Sequence, residues 1–375
     1  MQTCLDIKLD SESRDSIYRQ VSDCIAHAIR QGDLRPNDRL PTEEELARRL
    51  RVHRLTISRG YDLLREQGLV VRQRGRGTFV KPAGTGAEAE AKRNGISVAG
   101  FIWSPAESRA TNTVDHFIRE ELRAGFAARL GRAGVVCELI CMENLNQPVW
   151  NGGLARLDGA LILSAHSAEP RCAWELIDRG VRAVIPFWPS ALPGMVSVAY
   201  DVRKGTWLAT QHLAQSGYRR IGFMGRGPSA DEHPKFDGFA AALRENGLDL
   251  RAQDILETEG PFRPGEATTI IRRRLAQGPL PEALVAETDF VALEVLEALA
   301  FEGVRVPEDI AIAGYNNIPE GASSCPALTS VRPPYREIGE GAAETLLRWP
   351  KGGPAPKDVV LQPELVERES TRRKA

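Results

Sequence analysis

The stretch that most constrains the fold is residues 40–80, where two short helical patterns lie close together. Thr42 and Glu45 have the T-x-x-E spacing of a capping box, which predicts a helix from Glu43 to Leu50. A following helix is predicted to start at His53 or Arg54 and to end near Gln67, before Gly68. Two short helices joined by a tight turn predict a helix-turn-helix.

Further elements are predicted on both sides of this pair. Apolar residues recur every three or four positions over residues 16–31, which predicts another amphipathic helix. Residues 69–73 and 78–81 form two short apolar runs around the tip Arg74-Gly75-Arg76-Gly77, which predicts a hairpin. Three helices followed by a hairpin predict a winged helix-turn-helix, a fold that binds DNA.

The chemistry of this region fits DNA recognition. Arginine near the start of the last helix can contact guanine or phosphate in the major groove. Glycine in the hairpin tip permits close approach, and its arginines suit a narrow minor groove. The alternative for Arg48, Arg49, Arg51 and Arg65 is an ordinary solvated face. The candidate DNA contacts are Thr42, His53, Arg54, Thr56, Ser58, Arg59, Arg74, Gly75 and Arg76.

The charge distribution separates this region from the rest. Residues 1–81 contain 16 Lys and Arg against 12 Asp and Glu, whereas the remainder contains 33 against 38. A basic end beside a mildly acidic body suits a nucleic-acid-binding module joined to another domain. The N-terminus has no apolar secretion segment, and no run of about 18 apolar residues occurs, so we expect a cytoplasmic protein without a membrane span.

The longer part of the chain alternates apolar runs with helical patterns. Residues 82–95 are rich in Ala, Gly and charge and are predicted to be a linker that is partly helical. We therefore expect a DNA-binding domain over 1–81 and an effector-binding and dimerisation domain over 96–370. Alternating strands and helices predict an α/β fold with parallel sheets. About 280 residues exceed one usual core, which favours two lobes with a ligand at the carboxyl ends of the strands. The predicted strands are 96–102, 135–141, 159–163, 182–187, 220–224, 283–287 and 310–314, and the predicted helices lie near 115–131, 203–216, 235–246, 265–276 and 289–302.

The sequence contains few features typical of an enzyme or of a metal site. There is no P-loop, GxSxG, HExxH or complete GxGxxG pattern, and no nucleophile–base constellation is evident. The segment Gly225-Arg226-Gly227 follows a predicted strand, but it lacks the third glycine of a dinucleotide fingerprint; a phosphate-binding turn is the less favoured interpretation. No cysteine pair has metal-ligand spacing, and Cys137 and Cys141 are expected in a buried strand. We therefore expect no enzyme activity, no cofactor and no metal.

The N-terminal residues resemble the GntR family of bacterial transcription regulators. The resemblance lies in IYRQVSDCIAHAIRQGDLRPNDRLPTEEELARRLRV, HRLTISRGYDLL and GLVVRQRGRGTFV, over about residues 15–81. Where that family usually has S-R-x-T-V-R, this chain keeps the first arginine as Arg54 but has Ser58, with Arg59 beside it, in place of the second. Glu44 replaces a basic residue common in the family. These departures imply an unusual operator sequence.

The remaining residues resemble the effector domain of LacI/GalR regulators, a relative of periplasmic sugar-binding proteins. The resemblance lies in SVAYDVRKGTWLATQHLAQSGYRRIGFMG, KFDGFAAALRENGL, ALVAETDFVALEVLEALAFEGVRVPEDIAIAGYNNIP and PALTSVRPPYREIGEGAAETLL. It implies that Lys235, at the position of the family's R-x-x-G-F arginine, and Asp289, in its N-D-x-x-A motif, contact the effector. Lysine lacks arginine's planar fork, so a bidentate contact is lost.

Other residues at predicted strand ends have two interpretations. Trp103, Trp188 and Phe262 are candidates to cover the apolar side of a sugar ring, and each is equally suited to core or lobe packing. Asp201 suits a helix cap better than a ligand contact. Asn316 and Asn317 suit either the cleft or a turn.

Together the two resemblances imply a regulator similar to the arabinose-responsive subgroup of the GntR family. We expect a homodimeric, ligand-responsive transcription regulator that binds a near-palindromic double-stranded DNA operator. Repression is the favoured interpretation over activation. Its effector is expected to be a small hydroxylated metabolite, above all a sugar or sugar derivative. Two alternatives stay open: a corepressor-dependent repressor that senses a purine-like ligand, and a regulator whose C-terminal domain is a ligand-free dimerisation scaffold.

Overall fold

The computed structural model describes residues 16–31, 34, 38–67, 69–73, 77–80, 85–104, 113–145, 154–164, 170–187, 192–227, 233–258 and 263–372. These form two compact units, the first with the N-terminal helices and one sheet, the second with another sheet. Within the described residues the chain passes from one unit to the other at 118–119, 199–200, 334–335 and 359–360. Among the described helices, none is long and apolar enough to cross a membrane.

The N-terminal region is a winged helix-turn-helix. Its helices are α1 (Ile17–Gln31), α2 (Glu43–Leu50) and α3 (Arg54–Glu66), and its antiparallel hairpin is β1 (Val70–Gln73) with β2 (Gly77–Val80). The apolar stripe of α1 packs on α2, α3 and the hairpin, which form one buried core. The predicted elements are confirmed here because short-range caps and apolar spacing determine them.

Helix α4 (Thr85–Arg93) occupies much of the predicted linker. The residues after it are fixed to the first unit, because the side chain of Asn94 donates to the Leu347 carbonyl at 2.7 Å. The guanidinium of Arg182 donates to the carbonyls of Asn94 and Gly95 at 2.9 and 3.0 Å. The exact domain boundaries remain predictions.

The first unit contains a mainly parallel six-stranded sheet. Its strands are β3 (Val98–Trp103), β4 (Val136–Cys141), β5 (Gly159–Leu163), β6 (Arg182–Pro186), β7 (Met195–Tyr200) and β13 (Val359–Leu361). Their order is β13-β7-β6-β5-β3-β4, and the pairs among β3 to β7 are parallel. The helices of this unit include α6 (Arg171–Asp178), α12 (Tyr335–Arg348) and the larger part of α5 (Thr113–Arg132), from Arg119 onward.

The second unit repeats this architecture. Its strands are β8 (Ile221–Gly225), β9 (Ile255–Glu257), β10 (Ala283–Ala286), β11 (Ala311–Tyr315), β12 (Thr329–Arg332) and β14 (Glu364–Val366). They lie in the order β14-β12-β11-β10-β8-β9, and all pairs are parallel except β12 with β14. The helices are α7 (Val202–Gln215), α8 (Pro234–Glu245), α9 (Glu266–Gln277), α10 (Asp289–Phe301) and the short α11 (Pro319–Ala322).

The α/β class and the parallel sheets are confirmed, and two kinds of error remain. The apolar pattern missed the strands β7, β9, β12, β13 and β14 and the helices α6, α11 and α12. The prediction that Cys137 and Cys141 lie in a buried strand is wrong, since β4 is the edge strand beside β3 and Cys141 is exposed. An edge strand is covered less than its apolar sequence suggests, and Leu139 is 58% exposed.

Candidate nucleic-acid interface and effector site

The start of α3 is held by side-chain caps. The backbone N–H of Leu55 donates to Nδ1 of His53 at 3.2 Å, so His53 is the N-cap of α3. Thr42 caps α2 in the same way, because Glu45 N–H donates to Thr42 Oγ1 and Thr42 N–H donates to the Glu45 carboxylate at 2.8 Å. The capping box predicted from the sequence is thus confirmed. Thr42 and His53 thus fix the starts of α2 and α3.

The candidate side chains of α3 lie on its outer surface. Arg54 and Arg59 are exposed, whereas Thr56 and Ser58 are half-buried. The Arg54 side chain is 63% exposed, and its Nε lies 3.5 Å from a Glu43 carboxylate oxygen. An exposed arginine at the first turn of a recognition helix can contact phosphate or base edges, and this role of Arg54 stays a prediction.

Sequence reasoning missed the role of Glu43. Its carboxylate accepts a hydrogen bond from Ser58 Oγ at 3.4 Å and lies 3.8 Å from Nη1 of Arg72 in β1. It therefore contacts two candidate DNA-binding residues, Arg54 and Ser58, and also Arg72 of the wing strand β1. This acidic side chain therefore links the start of α2 to α3 and β1.

The wing tip Arg74, Gly75 and Arg76 lies outside the described residues, so its predicted contacts stay predictions. At the adjacent Gly77, φ is +118° and a Cβ would lie 2.9 Å from Nε of Arg39. Exposed Arg39 thus lies beside the base of the wing, and Leu55 on α3 is 62% exposed. The sequence analysis singled out neither Arg39 nor Leu55, because neither residue belongs to a recognisable motif or periodic pattern.

The solvated-face alternative fits Arg65, which pairs with Asp62 one turn earlier on α3 at 2.9 Å. Both side chains are about half exposed. Such intrahelical pairs contribute little to stability or recognition. Arg51 serves as the left-handed C-cap of α2, with φ of 54°.

In the second unit, the carboxyl ends of β8, β10 and β11 bring polar groups together, as parallel sheets do. Lys235 enters from the first turn of α8. Its Nζ donates to the backbone carbonyl of Glu287 at 2.7 Å and lies 4.1 Å from the centroid of the Tyr315 ring. Burial lowers the pKa of Lys235 to about 8, although the Glu287 carboxylate favours the charged form.

Glu287 follows β10 and faces the turn after β8. One carboxylate oxygen accepts the Arg226 backbone N–H at 2.8 Å, and the other accepts Nε and Nη2 of the same residue at 3.0 and 2.9 Å. Nε2 of His233, a buried residue, lies 3.5 Å from that second oxygen. Burial raises the pKa of Glu287, but the His233 contact and the charges of Lys235 and Arg226 outweigh it and hold the pKa below its ordinary value.

Asp289 is wholly buried at the start of α10. Its carboxylate accepts Ser330 Oγ at 2.5 Å and the Ile318 backbone N–H at 2.8 Å. Burial raises its pKa to about 6, against the lowering effect of these two bonds. Asp289 therefore ties β12 and the segment after β11 to α10. The predicted contact of Asp289 with an effector stays a prediction.

The segment after β11 has an uncommon backbone. Asn316 and Asn317 have φ of 110° and 52°, so both adopt conformations that residues other than glycine rarely adopt. Asn317 also accepts a hydrogen bond from Arg368 Nη2 at 2.7 Å. Such strain concentrates at functional sites, and Asn316 lies at the same sheet edge as Glu287. The capping alternative for Asp201 is confirmed, because it accepts the Lys204 backbone N–H at 2.8 Å.

The aromatic candidate Trp103 lies elsewhere in the fold. Trp103, in the first unit, is half-buried and has the Arg119 guanidinium 4.1 Å from its ring centroid. It lines a cavity of about 410 Å³ whose walls include residues of α1, α3, β4 and α5 of the same unit. Trp188 and Phe262 fall outside the described residues, so their roles stay predictions.

The same two regions match known families. Residues 17–80 match the bacterial regulatory proteins of the gntR family, and residues 210–371 match the periplasmic binding protein-like domain. The chain joins a GntR-family helix-turn-helix to a periplasmic-binding-protein-like domain. This confirms both resemblances.

Similar proteins include transcription repressors. The arabinose metabolism transcriptional repressor of Geobacillus stearothermophilus is 25% identical over 95% of this chain and 97% of its own. The HTH-type transcriptional repressors PurR of Aliivibrio salmonicida and Glaesserella parasuis are 31% and 33% identical over 58% of this chain. The chain covers 66% and 65% of the length of these two PurR relatives.

Solved structures show the same fold. The transcription regulator GntR from Chromobacterium violaceum is 27% identical with a TM-score of 0.58, over 73% of this chain and 99% of its own. The transcriptional regulator CelR–cellobiose complex has a TM-score of 0.59 at 23% identity and covers 88% of this chain and 100% of its own. At that identity the second likeness shows the fold alone.

Proposed function

We propose that this protein is a ligand-responsive transcription regulator, not an enzyme, and that it represses genes by binding a near-palindromic operator as a homodimer in the cytoplasm. The observation that carries this proposal is its similarity to the arabinose metabolism repressor over 95% of the chain and 97% of the relative. A likeness of this extent includes both the helix-turn-helix and the second domain.

The DNA contacts are assigned to the start of α3 and to the wing. Arg54 and Arg59 are exposed there, and Ser58 and Thr56 add hydroxyl groups. Arg74, Gly75 and Arg76 of the predicted wing tip are assigned to the same interface from the sequence alone, and the structure adds exposed Arg39 beside Gly77 at the base of the wing. In a two-fold dimer the α3 helices contact half-sites about one helical turn, or a multiple of it, apart.

The effector contacts are assigned to the carboxyl edge of the second sheet. Lys235, Glu287 and Asn316 place an ammonium, a carboxylate and an amide there, and the Tyr315 ring lies beneath the ammonium. Several hydrogen-bonding groups beside an aromatic ring suit a hydroxylated metabolite, above all a sugar or sugar derivative. Trp103, Trp188, Phe262 and Asp289 remain further candidates.

Ligand binding acts on DNA binding through a population shift. An effector that prefers one arrangement of the domain changes the spacing of the two α3 helices in the dimer. A coupling free energy of about 1–3 kcal/mol changes operator affinity by roughly 5–150-fold.

A second candidate is a corepressor-dependent repressor with a nucleobase effector. The PurR relatives are 31% and 33% identical over 58% of this chain, more than the arabinose repressor over its longer match. Nucleobases therefore belong in any ligand screen of this protein.

The test begins with selection of the preferred DNA from a random-sequence pool by the full chain. Fluorescence anisotropy then gives its Kd alone and with sugars, sugar acids, sugar phosphates and nucleobases. Release by a sugar supports the proposal. Tighter binding with a nucleobase supports the corepressor candidate, and no change with any compound favours a ligand-free scaffold. Failure to select any sequence contradicts the regulator function.

A further inference from the structure

The turn after β8 has the form of an anion-binding turn. Gly225 has φ of +157° and is followed by Arg226 and Gly227 at the carboxyl end of a parallel strand. Glycine-rich turns at this place present backbone N–H groups, and oxyanions such as phosphate accept them. The arginine between the two glycines adds a charged donor.

In this chain a carboxylate of the protein takes that position. Glu287 accepts the backbone N–H of Arg226 with one oxygen and its guanidinium with the other, at 2.8 to 3.0 Å. His233 Nε2 lies 3.5 Å from the second oxygen. The side chain of Glu287 is only 12% exposed, whereas that of Arg226 is 50% exposed. The donors that would hold an external oxyanion are therefore bound to an internal one.

The packing of the turn around carboxylates is tight. A Cβ at Gly225 would lie 2.5 Å from the Cβ of Glu287, and a Cβ at Gly227 would overlap the Glu257 carboxylate. Acidic side chains thus pack against both glycines. A phosphate here would face the negative charge of Glu287 directly and that of Glu257 nearby.

The positive charge of Lys235 does not offset the negative charge of Glu287 at the turn. Its ammonium donates to the backbone carbonyl of Glu287 and lies over the Tyr315 ring. Arg226 is already neutralised by the Glu287 carboxylate, as their two contacts at 3.0 Å or less show.

We propose that Glu287 determines the charge class of the effector: its carboxylate fills the anion position of the turn Gly225–Gly227 and excludes ligands that carry a phosphate or carboxylate there. This inference rests on the proposed effector site at the same sheet edge. It selects uncharged polyols over sugar phosphates and sugar acids.

The experiment measures binding of inorganic phosphate to the full chain and to Glu287→Gln by titration calorimetry, with chloride at matched ionic strength as the reference. The amide removes the charge and loses the charge-assisted bonds to the Arg226 guanidinium, so phosphate can displace it from the turn. We expect Glu287→Gln to bind phosphate at least about tenfold more tightly than the wild type, because like charges at such distances strongly oppose binding. Glu287→Ala is a second variant for the case that Glu287→Gln does not fold, as judged by circular dichroism.

Two controls locate the effect. Glu257→Gln removes the neighbouring charge but leaves Glu287 on Arg226, and we expect it to gain little phosphate affinity. Arg226→Ala combined with Glu287→Gln removes the guanidinium donor and should lose the gained affinity.

The inference would be overturned if the wild type bound phosphate as tightly as Glu287→Gln does. It would also be overturned if neither Glu287 variant gained phosphate affinity. The assay needs neither operator nor effector. A failure of the proposed function would appear instead as an operator complex that no ligand changes.

Discussion

The candidate DNA surface and the candidate effector site treat their polar groups in opposite ways. Arg54 on α3 is 63% exposed and contacts Glu43 at 3.5 Å, whereas Asp289 in the second unit is wholly buried and bonds Ser330 at 2.5 Å. On the candidate DNA surface, Arg54 stays largely exposed to solvent despite its contact with Glu43. The effector site instead satisfies its own groups, so a ligand there must exchange hydrogen bonds.

This difference has an energetic consequence. Exposed ion pairs contribute about 0–1 kcal/mol to stability, so substitutions at the DNA surface change binding more than folding. When a buried charged side chain is removed, the donors that it accepted from are left unsatisfied. Each unsatisfied buried donor costs about 1–3 kcal/mol of stability. Substitutions at the buried contacts therefore change folding first.

The largest expected effect is that of Asp289→Ala. The substitution leaves the Ser330 hydroxyl and the Ile318 N–H without their acceptor, and we expect the free energy of unfolding to fall by about 3 kcal/mol. Urea unfolding of the full chain measures it. Thr268→Ala, at a half-buried position on α9, is a control that should change stability by less than about 1 kcal/mol. If Asp289→Ala also lowered the free energy of unfolding by less than about 1 kcal/mol, the buried contacts of the second unit would matter no more for folding than exposed ones.

Arg54→Ala tests the DNA surface. If Arg54 contacts base edges as proposed, we expect a loss of about 1–3 kcal/mol in operator binding with relaxed preference at particular bases. Stability should stay nearly unchanged. Arg65→Ala, on the same helix but paired with Asp62, is the control. Equal weakening on operator and random DNA would make Arg54 a phosphate contact only.

The pH dependence of stability tests Lys235, whose pKa falls from its ordinary value of 10.5 to about 8 in the folded chain because of burial. Between pH 8 and 10.5 the unfolded chain binds more protons than the folded one, so this residue makes the free energy of unfolding rise with pH. We expect Lys235→Met to remove a rise of about 1–2 kcal/mol across this window, after allowance for partial exposure. Denaturant unfolding at several pH values measures it, with exposed Lys351→Met as the control. Identical pH profiles for wild type and Lys235→Met would contradict the burial of its charge.

The smallest expected effect is that of Glu43→Gln. Removal of this charge releases Arg54 and Arg72 from pairs of 3.5 and 3.8 Å, and we expect operator affinity to rise about two- to fivefold at low salt. The free energy of unfolding should change by less than about 1 kcal/mol. Anisotropy titrations compare it with Glu44→Gln, which removes an exposed charge one residue away. A weaker operator complex would show that Glu43 positions Arg54 rather than competing for it.

The two regions also differ in how far the sequence predicted them. The helices of the winged region depend on contacts within a few residues, such as the capping box of Thr42 and Glu45, and their bounds were predicted nearly to the residue. Long-range contacts carry no such pattern. Glu287 and Arg226 lie 61 positions apart, and Lys235 contacts Tyr315 80 positions later, so their proximity required the folded sheet.

Strands with weak patterns escaped prediction for related reasons. The strands β9, β13 and β14 have three residues each, too few to show periodicity. The apolar run of β4 resembled a buried strand, but its position at the edge of the sheet leaves one side uncovered. Order within a sheet is a tertiary property that hydropathy along the chain does not contain.

The most direct test of a ligand-responsive regulator is the operator Kd of the full chain with and without a saturating sugar that raises its thermal midpoint. We predict that the sugar weakens operator binding roughly 5–150-fold. The same Kd at saturating sugar as without it would contradict coupling between the second domain and the winged helix-turn-helix.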